Sequence, residues 1–297
     1  MNTSVEQNLE TIHAMRRQEE LGYHVADYLS CLPHTALDTP VDANCRLVMA
    51  RWCNDIADFC NYKRETVAIA MNCLDRFMSA PSGHEILLDR NLYQLAAMTA
   101  LYTSVKVHEQ EAMDPKLVST LSRGVHSQEA VEAMESRMLK AIQWRVNPPT
   151  AMSFVRSMID LVPNHYMGPC EKDTILDIAK VQVEMIVNEY DFCTVNASTV
   201  ALACTLNAIE STINDGMFYS EFETSMRNTI MVDDSFVRDL RVAIYELMNG
   251  SDDIAIIQMN NKNNLTKHAS SCNGPVSAHD NSIHSSPRTV ATSVSQR

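Results

Sequence analysis

The feature that most constrains this chain is a segment, residues 92–101, that is apolar on nearly every side. Its sequence, LYQLAAMTAL, is rich in alanine. A helix without a polar face has to be surrounded by other helices, and small side chains let those neighbours approach closely. A similar segment, ASTVALAC, occupies residues 197–204. The pair predicts two helical bundles in tandem, each built around a buried central helix.

The composition favours helices throughout. Only 7 of the 297 residues are glycine, while alanine, leucine, methionine and glutamate are abundant. Stretches of alternating valine, threonine and tyrosine, which would indicate strands, are absent. The sequence therefore predicts an all-α fold: two tandem five-helix bundles with a short N-terminal helix and a disordered C-terminal tail.

Helical periodicity and proline positions divide the chain. An amphipathic stretch runs from Met15 to Leu29, and Asn147-Pro148-Pro149 is a strong helix breaker between the bundles. The predicted units are residues 1–40 (N-terminal helix and linker), 41–147 (first bundle), 148–250 (second bundle) and 251–297 (tail). Apolar periodicity predicts helices over about 42–61, 65–79, 91–106, from Pro115 to a stop at Gly124, 128–142, 150–162, 171–189, from 197 onwards, and 235–248.

The net charge and the cysteine content limit the kinds of partner and the cellular compartment that are expected for this chain. The formal net charge is -13, and an acidic chain repels phosphate backbones, so direct nucleic-acid binding is not expected. The 9 cysteines include no Cys-x-x-Cys pair, which favours a reducing compartment. Neither a basic-then-apolar leader nor an apolar run of membrane-spanning length is found.

Polar landmarks follow one another through the first bundle. Arg46 precedes Trp52 and Glu65, and the run NCLDRFMS occupies residues 72–79. Lys106 closes the central helix, and Glu135 lies on the flank of an apolar stripe 29 residues later. With one short helix between them, these two charges are expected on adjacent helices. Taken alone, their spacing favours an ordinary surface pair, worth about 0–1 kcal/mol.

Together with QWRVNPPT at residues 143–150, these landmarks resemble the cyclin box. Over residues of about 20–150 the resemblance rests on specific motifs. Over residues 150–250 it rests only on the pattern of predicted helices. It implies a regulatory subunit without catalytic activity or cofactor, which binds and activates a cyclin-dependent Ser/Thr kinase and controls cell-cycle progression in the nucleus and cytoplasm. The alternative is a cyclin-fold adaptor or scaffold, or a transcription-associated cyclin that does not drive the cell cycle.

The resemblance also assigns residues. Lys106 and Glu135 would hydrogen-bond the kinase backbone, and Arg46 with Asp75 would form a structural ion pair. Apolar contacts with the kinase would come from Val107, Leu139, Ile142, Trp144 and Val146. The alternative for Leu139 and Ile142 is the bundle core, which is the more common role of such an apolar stripe.

A second surface implied by the resemblance is a shallow patch for substrates bearing an Arg-x-Leu motif. Asp55 would take the arginine, and apolar neighbours would take the leucine. The chain departs from the family pattern with Cys45 in place of methionine, and with Met49 and Tyr93 in place of leucine. The patch would consist of Cys45, Val48, Met49, Trp52, Asp55, Tyr93 and Gln94, and the same residues equally fit a core.

Catalytic signatures for nucleotide binding, kinase chemistry or a nucleophilic serine are absent from the sequence. One Glu-x-x-His pair, Glu10 and His13, leaves a helical di-iron enzyme as a distant alternative, because such a site needs two of these motifs and two further glutamates. The sequence therefore predicts no metal site and a function exerted through a partner protein.

Overall fold

The computed structural model describes residues 3–30, 41–213 and 215–250. All regular structure in these ranges is helical, which confirms the predicted all-α class. The predicted tail, 251–297, and most of the predicted linker, 31–40, lie outside the described residues. The helices are α1 (Thr3–Gly22), α2 (Ala43–Phe59), α3 (Arg64–Ser79), α4 (Arg90–His108), α5 (Pro115–Leu121), α6 (Gln128–Ala141), α7 (Ala151–Asp160), α8 (Pro169–Asn188), α9 (Ala197–Thr212), α10 (Gly216–Ile230) and α11 (Asp234–Gly250).

Helix α4 lies at the centre of the first bundle, α2–α6. Its residues 93–105 are all buried, as expected for a helix that lacks a polar face. The hydroxyl of Thr99, fully buried, donates to the Leu95 carbonyl at 2.7 Å. A buried polar group needs such a partner, and the helix supplies it from its own backbone.

Helix α9 has the same place in the second bundle, α7–α11. Its residues 198–206 are buried, and the Thr205 hydroxyl donates to the Ala201 carbonyl at 2.7 Å. The two alanine-rich segments thus form equivalent central helices, and the prediction of two tandem five-helix bundles is confirmed.

Side-chain caps explain where several helices begin. Asp42 accepts a hydrogen bond from the Cys45 amide at the start of α2, and Thr150 accepts one from Ser153 at the start of α7. Asp114 caps α5, as its place before Pro115 predicts, and Gly124 (φ +77°) follows that helix in the left-handed region.

Two features differ from the sequence prediction. The N-terminal helix ends at Gly22, so the amphipathic stretch from Met15 to Leu29 is helical only in its first half. Beyond Gly22 the chain is irregular and buries Val25 and Tyr28 against the first bundle. Helix α10 was not located individually, although its buried stripe of Phe218, Phe222, Met226 and Ile230 has the four-residue spacing of an amphipathic helix.

The N-terminal segment connects the two bundles. Glu19, only 4% exposed, accepts hydrogen bonds from the backbone amide and hydroxyl of Ser198 at the start of α9. Arg145, after α6, donates to the Leu21 carbonyl at 2.6 Å. None of the helices in the described ranges combines the length and the apolar character needed to cross a bilayer.

Candidate protein-binding surface

A charged pair joins α4 to α6 at the surface of the first bundle. Lys106 Nζ lies 3.1 and 3.2 Å from the two carboxylate oxygens of Glu135, and the Thr103 hydroxyl donates to the same carboxylate at 3.3 Å. The Lys106 side chain is 49% exposed and that of Glu135 is 13% exposed. Partial burial opposes protonation, but the hydrogen bond and charge of Glu135 raise the pKa of Lys106. The pair therefore presents to the solvent a fixed cation whose N–H groups can donate to carbonyl oxygens.

A strained turn follows α6. Gln143 (φ +56°) and Trp144 (φ +61°) are consecutive non-glycine residues in the left-handed region, which costs about 1–2 kcal/mol per residue. The Trp144 amide donates to the Leu139 carbonyl at 2.8 Å, five residues back. The turn leaves the Trp144 side chain 68% exposed. Backbone strain of this kind concentrates at functional sites, and here it places a large aromatic ring on the surface.

Arg76 holds this turn in position. Its guanidinium, on α3, donates to the Arg145 carbonyl at 2.7 Å and to the Ile142 carbonyl at 3.1 Å, and it lies 4.5 Å from the centre of the Tyr23 ring. Burial lowers the pKa of Arg76. Sequence reasoning assigned Arg76 no role. The signal was its place directly after Asp75, within the run NCLDRFMS.

His108 completes the contact between the ends of α4 and α6. Its Nε2 lies 3.0 Å from the Val146 carbonyl oxygen. This contact joins the end of α4 to the turn that follows α6, and Val107, the residue before His108, is 49% exposed. Val146 is half-buried there. Of the seven residues predicted to contact a kinase, Lys106, Val107 and Trp144 are exposed and Glu135 is partly exposed.

The other two predicted contact residues are buried. Ile142 is 4% exposed and belongs to the core of the first bundle, and Leu139 is 9% exposed. The physical reason is the apolar stripe of α6, which packs onto α4. In the isolated chain, Leu139 and Ile142 therefore belong to the core, which is one of the two roles that the sequence allowed.

Arg46 and Asp75 form a bidentate ion pair inside the molecule. Arg46 donates from Nε and Nη2 to the two Asp75 oxygens at 2.9 and 2.8 Å, and both side chains are 3% exposed. Its Nη1 donates to the carbonyls of Val187 and Asn188, the last residues of α8, at 2.9 and 3.1 Å. Tyr28 donates to Asp75 at 2.9 Å. The pair therefore joins the first bundle to the C-terminal end of α8 in the second, a link that sequence reasoning did not foresee.

The predicted substrate-docking patch is largely a core. Asp55 is exposed and Val48 is half-buried. The remaining five residues pack inward, because α2 and α4 turn these faces towards each other and the rest of the bundle. The buried members are Cys45 (0% exposed), Met49 (0%), Trp52 (4%), Tyr93 (0%) and Gln94 (3%).

Comparison with known proteins shows a similarity to cyclins. The model of the cyclin N-terminal domain matches residues 10–147. A G2/mitotic-specific cyclin-2 from Medicago sativa is 24% identical over 69% of this chain and 57% of its own length. A G1/S-specific cyclin-E1 from Mus musculus is 29% identical over 41% of this chain and 29% of its own length. The matched region therefore spans between 29% and 57% of the length of these two relatives.

A solved structure supports the fold across both bundles. A viral cyclin from herpesvirus saimiri superimposes with a TM-score of 0.56 at 12% identity, covering 79% of this chain and 96% of that protein. The landmark residues, the paired bundles and the family match over residues 10–147 agree with one another. We conclude that residues 10–147 form a cyclin N-terminal domain and that the two bundles share the fold of a solved cyclin.

Proposed function

We propose that the chain is a regulatory subunit that binds and activates a cyclin-dependent Ser/Thr kinase. The observation that carries the proposal is the Lys106–Glu135 pair beside exposed Trp144 and Val107. An aromatic anchor next to oriented polar groups is the arrangement found at the energetic centres of protein interfaces. The names of the relatives, G2/mitotic-specific and G1/S-specific cyclins, support a role in cell-cycle progression. Action in the nucleus and cytoplasm is part of the same proposal.

The mechanism is a population shift in the partner. A free kinase whose active arrangement is a minor state gains activity when a ligand binds that arrangement better than the inactive one. The shift cannot exceed the difference between the two affinities. The chain needs no catalytic group for this, only a surface that fits one arrangement. Lys106 supplies N–H donors and Trp144 supplies buried area once the partner covers it.

Docking of Arg-x-Leu substrates is a separate proposal. Fewer of the residues assigned to it are exposed than of those assigned to kinase binding. Asp55 offers an exposed carboxylate, and half-buried Val48 lies on the same helix, α2. A leucine side chain would need access to Met49 or Trp52, which the isolated chain buries. This activity therefore requires some opening between α2 and α4.

The decisive experiment measures kinase activity. The purified chain would be mixed with a panel of inactive cyclin-dependent kinases, and phosphate transfer to histone would be followed for the wild type and for Lys106→Ala/Glu135→Ala. Activation that is lost in the double variant supports the proposal. The matched control is Asp234→Ala/Arg238→Ala, which removes an exposed ion pair of α11 in the second bundle and should leave activation unchanged.

Other outcomes separate the alternatives. Undiminished kinase binding by the double variant would show that the assigned surface is wrong. Binding without activation, even of kinases already carrying their activating phosphate, would favour a cyclin-fold adaptor or scaffold. Absence of binding to every member of the panel would reject kinase activation and leave only the fold.

A further inference from the structure

A cavity of about 400 Å³ separates the two bundles. Small-molecule sites in proteins occupy roughly 300–1,000 Å³ and often lie between domains. Helices α2 and α3 form one wall, and α7, α8 and the start of α9 form the other, with the Pro148-Pro149 linker at the edge. None of the exposed residues of the α4–α6 surface lines it. The cavity is therefore distinct from the proposed kinase-binding surface.

Part of the wall is apolar. Met71 and Val183 are buried on opposite sides, Val200 lies at the start of α9, and half-buried Ala68 faces the same space. Contact with these side chains would favour an apolar ligand body by the ordinary gain from removing hydrocarbon surface from water.

The charged part of the wall is unusual for this chain. Five cations and three carboxylates line the cavity. Arg46 pairs with Asp75, Arg156 with Glu65 at 2.9 Å, and Lys180 with Glu184 at 3.8 Å. Two cationic side chains remain, those of Lys63 and Arg64, and the Asp58 partner of Arg64 lies outside the wall.

The excess of positive charge on this wall is opposite in sign to the net charge of the whole chain. The chain has a formal net charge of -13, so a wall with more cations than anions is a local exception. Burial also raises the pKa of Glu184, because the partly enclosed wall disfavours its charged form. An anionic group would be favoured here by nearby cations in a partly enclosed space.

Asn72 gives an independent indication of an incomplete site. Its side-chain oxygen is shielded from solvent and lacks a hydrogen-bond partner among the described residues, and Asn72 lines the cavity. A buried acceptor without a partner is unfavourable, and nearly all such groups in folded proteins are paired. A donor on a ligand in the cavity, reached by a turn of this amide, would supply the missing bond.

We propose that the cavity between the bundles is a binding site for a small amphipathic anion. The ligand has an apolar body that packs on Met71, Val183 and Val200. It carries one carboxylate or phosphate group near Lys63 and Arg64, and a hydrogen-bond donor for Asn72. Because both bundles form the walls, binding also stabilises their mutual orientation.

The test uses the full chain and a fluorescent probe of this chemistry, anilinonaphthalene sulfonate. Titration by fluorescence and by calorimetry should show one site, and a rise in melting temperature with probe concentration. Uncharged N-phenyl-naphthylamine should bind more weakly. Octanoate and octyl phosphate should displace the probe better than octanol, and the better of the two identifies the head group.

Two variants locate the site. Ala68→Phe fills the cavity and should weaken probe binding at least about tenfold, whereas Ala133→Phe, at an exposed position on α6, should not. Lys63→Gln/Lys180→Gln should weaken sulfonate binding about three- to tenfold without affecting the neutral probe. Its control, Lys116→Gln/Lys140→Gln, removes two exposed lysines elsewhere.

The results that would overturn the proposal are equally definite. They are probe binding that is unchanged in Ala68→Phe, several equivalent sites, or equal displacement by octanol and the two anions. If Ala68→Phe fails to fold, the exposed lysine variants decide the question, because loss of surface charge leaves the core intact. Insensitivity of sulfonate binding to Lys63→Gln/Lys180→Gln would then reject the site.

Discussion

The two bundles share a core design and differ at their edges. The central residues of α4 and α9 are buried, and each helix carries a buried threonine that bonds to its own backbone. Their last turns differ. In α9 the hydroxyls of Ser211 and Thr212 bond back to the Ala208 carbonyl, whereas α4 ends with Lys106 paired to a neighbouring helix and Val107 exposed.

The polar groups around the two central helices have different partners. In the second bundle Arg241 donates to Asn207 at 2.8 Å and also to Tyr219 and Glu210, so its charge is used within the bundle. In the first bundle, a strained turn presents Trp144 to solvent. A repeated fold can therefore keep its core and acquire a binding surface by changes at helix ends. Four predictions test this comparison.

The largest expected effect comes from the ion pair that joins the bundles. Arg46→Ala leaves the buried Asp75 carboxylate without its cation and removes two bonds to the end of α8. Loss of one member of a buried pair costs about 3–5 kcal/mol, which urea unfolding would measure. The exposed Arg64–Asp58 pair is the control, and Arg64→Ala should cost about 0–1 kcal/mol. Equal costs for the two variants would contradict the buried role.

The next effect is on binding. Trp144→Ala should weaken kinase binding by about 2 kcal/mol or more, as for a central aromatic anchor, with little change in melting temperature because the side chain is 68% exposed. Tyr245, on α11 of the second bundle, is a matched aromatic at 66% exposure. Tyr245→Ala should leave binding unchanged. A similar loss for both variants would remove the distinction between the bundles.

A smaller effect separates structural strain from functional strain. Met231, which caps α10 in the left-handed region (φ +55°), is 84% exposed. Met231→Gly should stabilise the protein by about 0.5–1 kcal/mol, since relief of about 1–2 kcal/mol of strain exceeds the entropic cost of glycine. Kinase binding should not change. Destabilisation in the unfolding assay would show that the Met231 side chain makes a stabilising contact.

The smallest effect concerns pH and the N-terminal helix. Burial raises the pKa of Glu19 above its usual 4.5, so its contribution to stability is complete below that value. The contribution is lost as the pH rises through the folded-state pKa. Glu19→Gln cannot lose a proton. Its melting temperature relative to the wild type should therefore increase between about pH 4 and pH 7. A difference that stays constant with pH would show that Glu19 titrates normally.

Several elements of the fold and surface were predictable for local reasons. Periodicity located nine of the helices, and Asp114 with Pro115 located the start of α5. The contact between Lys106 and Glu135 followed from their interval of 29 residues with one short helix between, which places them on adjacent helices. The N-terminal segment was less predictable, because the stretch beyond Gly22 has helical periodicity and yet is held in an irregular form by contacts with the first bundle.

The burial of individual residues could not be predicted from one chain. Cys45, Met49 and Tyr93 fit a docking patch or a core equally well in sequence, and the structure buries all three. For an apolar residue at the edge of a helical stripe, the sequence does not indicate whether a neighbouring helix covers it or leaves it exposed. The same limit explains why Leu139 and Ile142 were left open.

By itself, the sequence determined the helical class, the two repeated bundles and the family resemblance, because these depend on periodicity and on residues close in the chain. Only the tertiary structure decided that Arg46 bonds to α8, that Arg76 holds the Trp144 turn, and that a partly charged cavity lies between the bundles. These contacts join residues far apart in sequence, and their existence depends on how the two bundles pack.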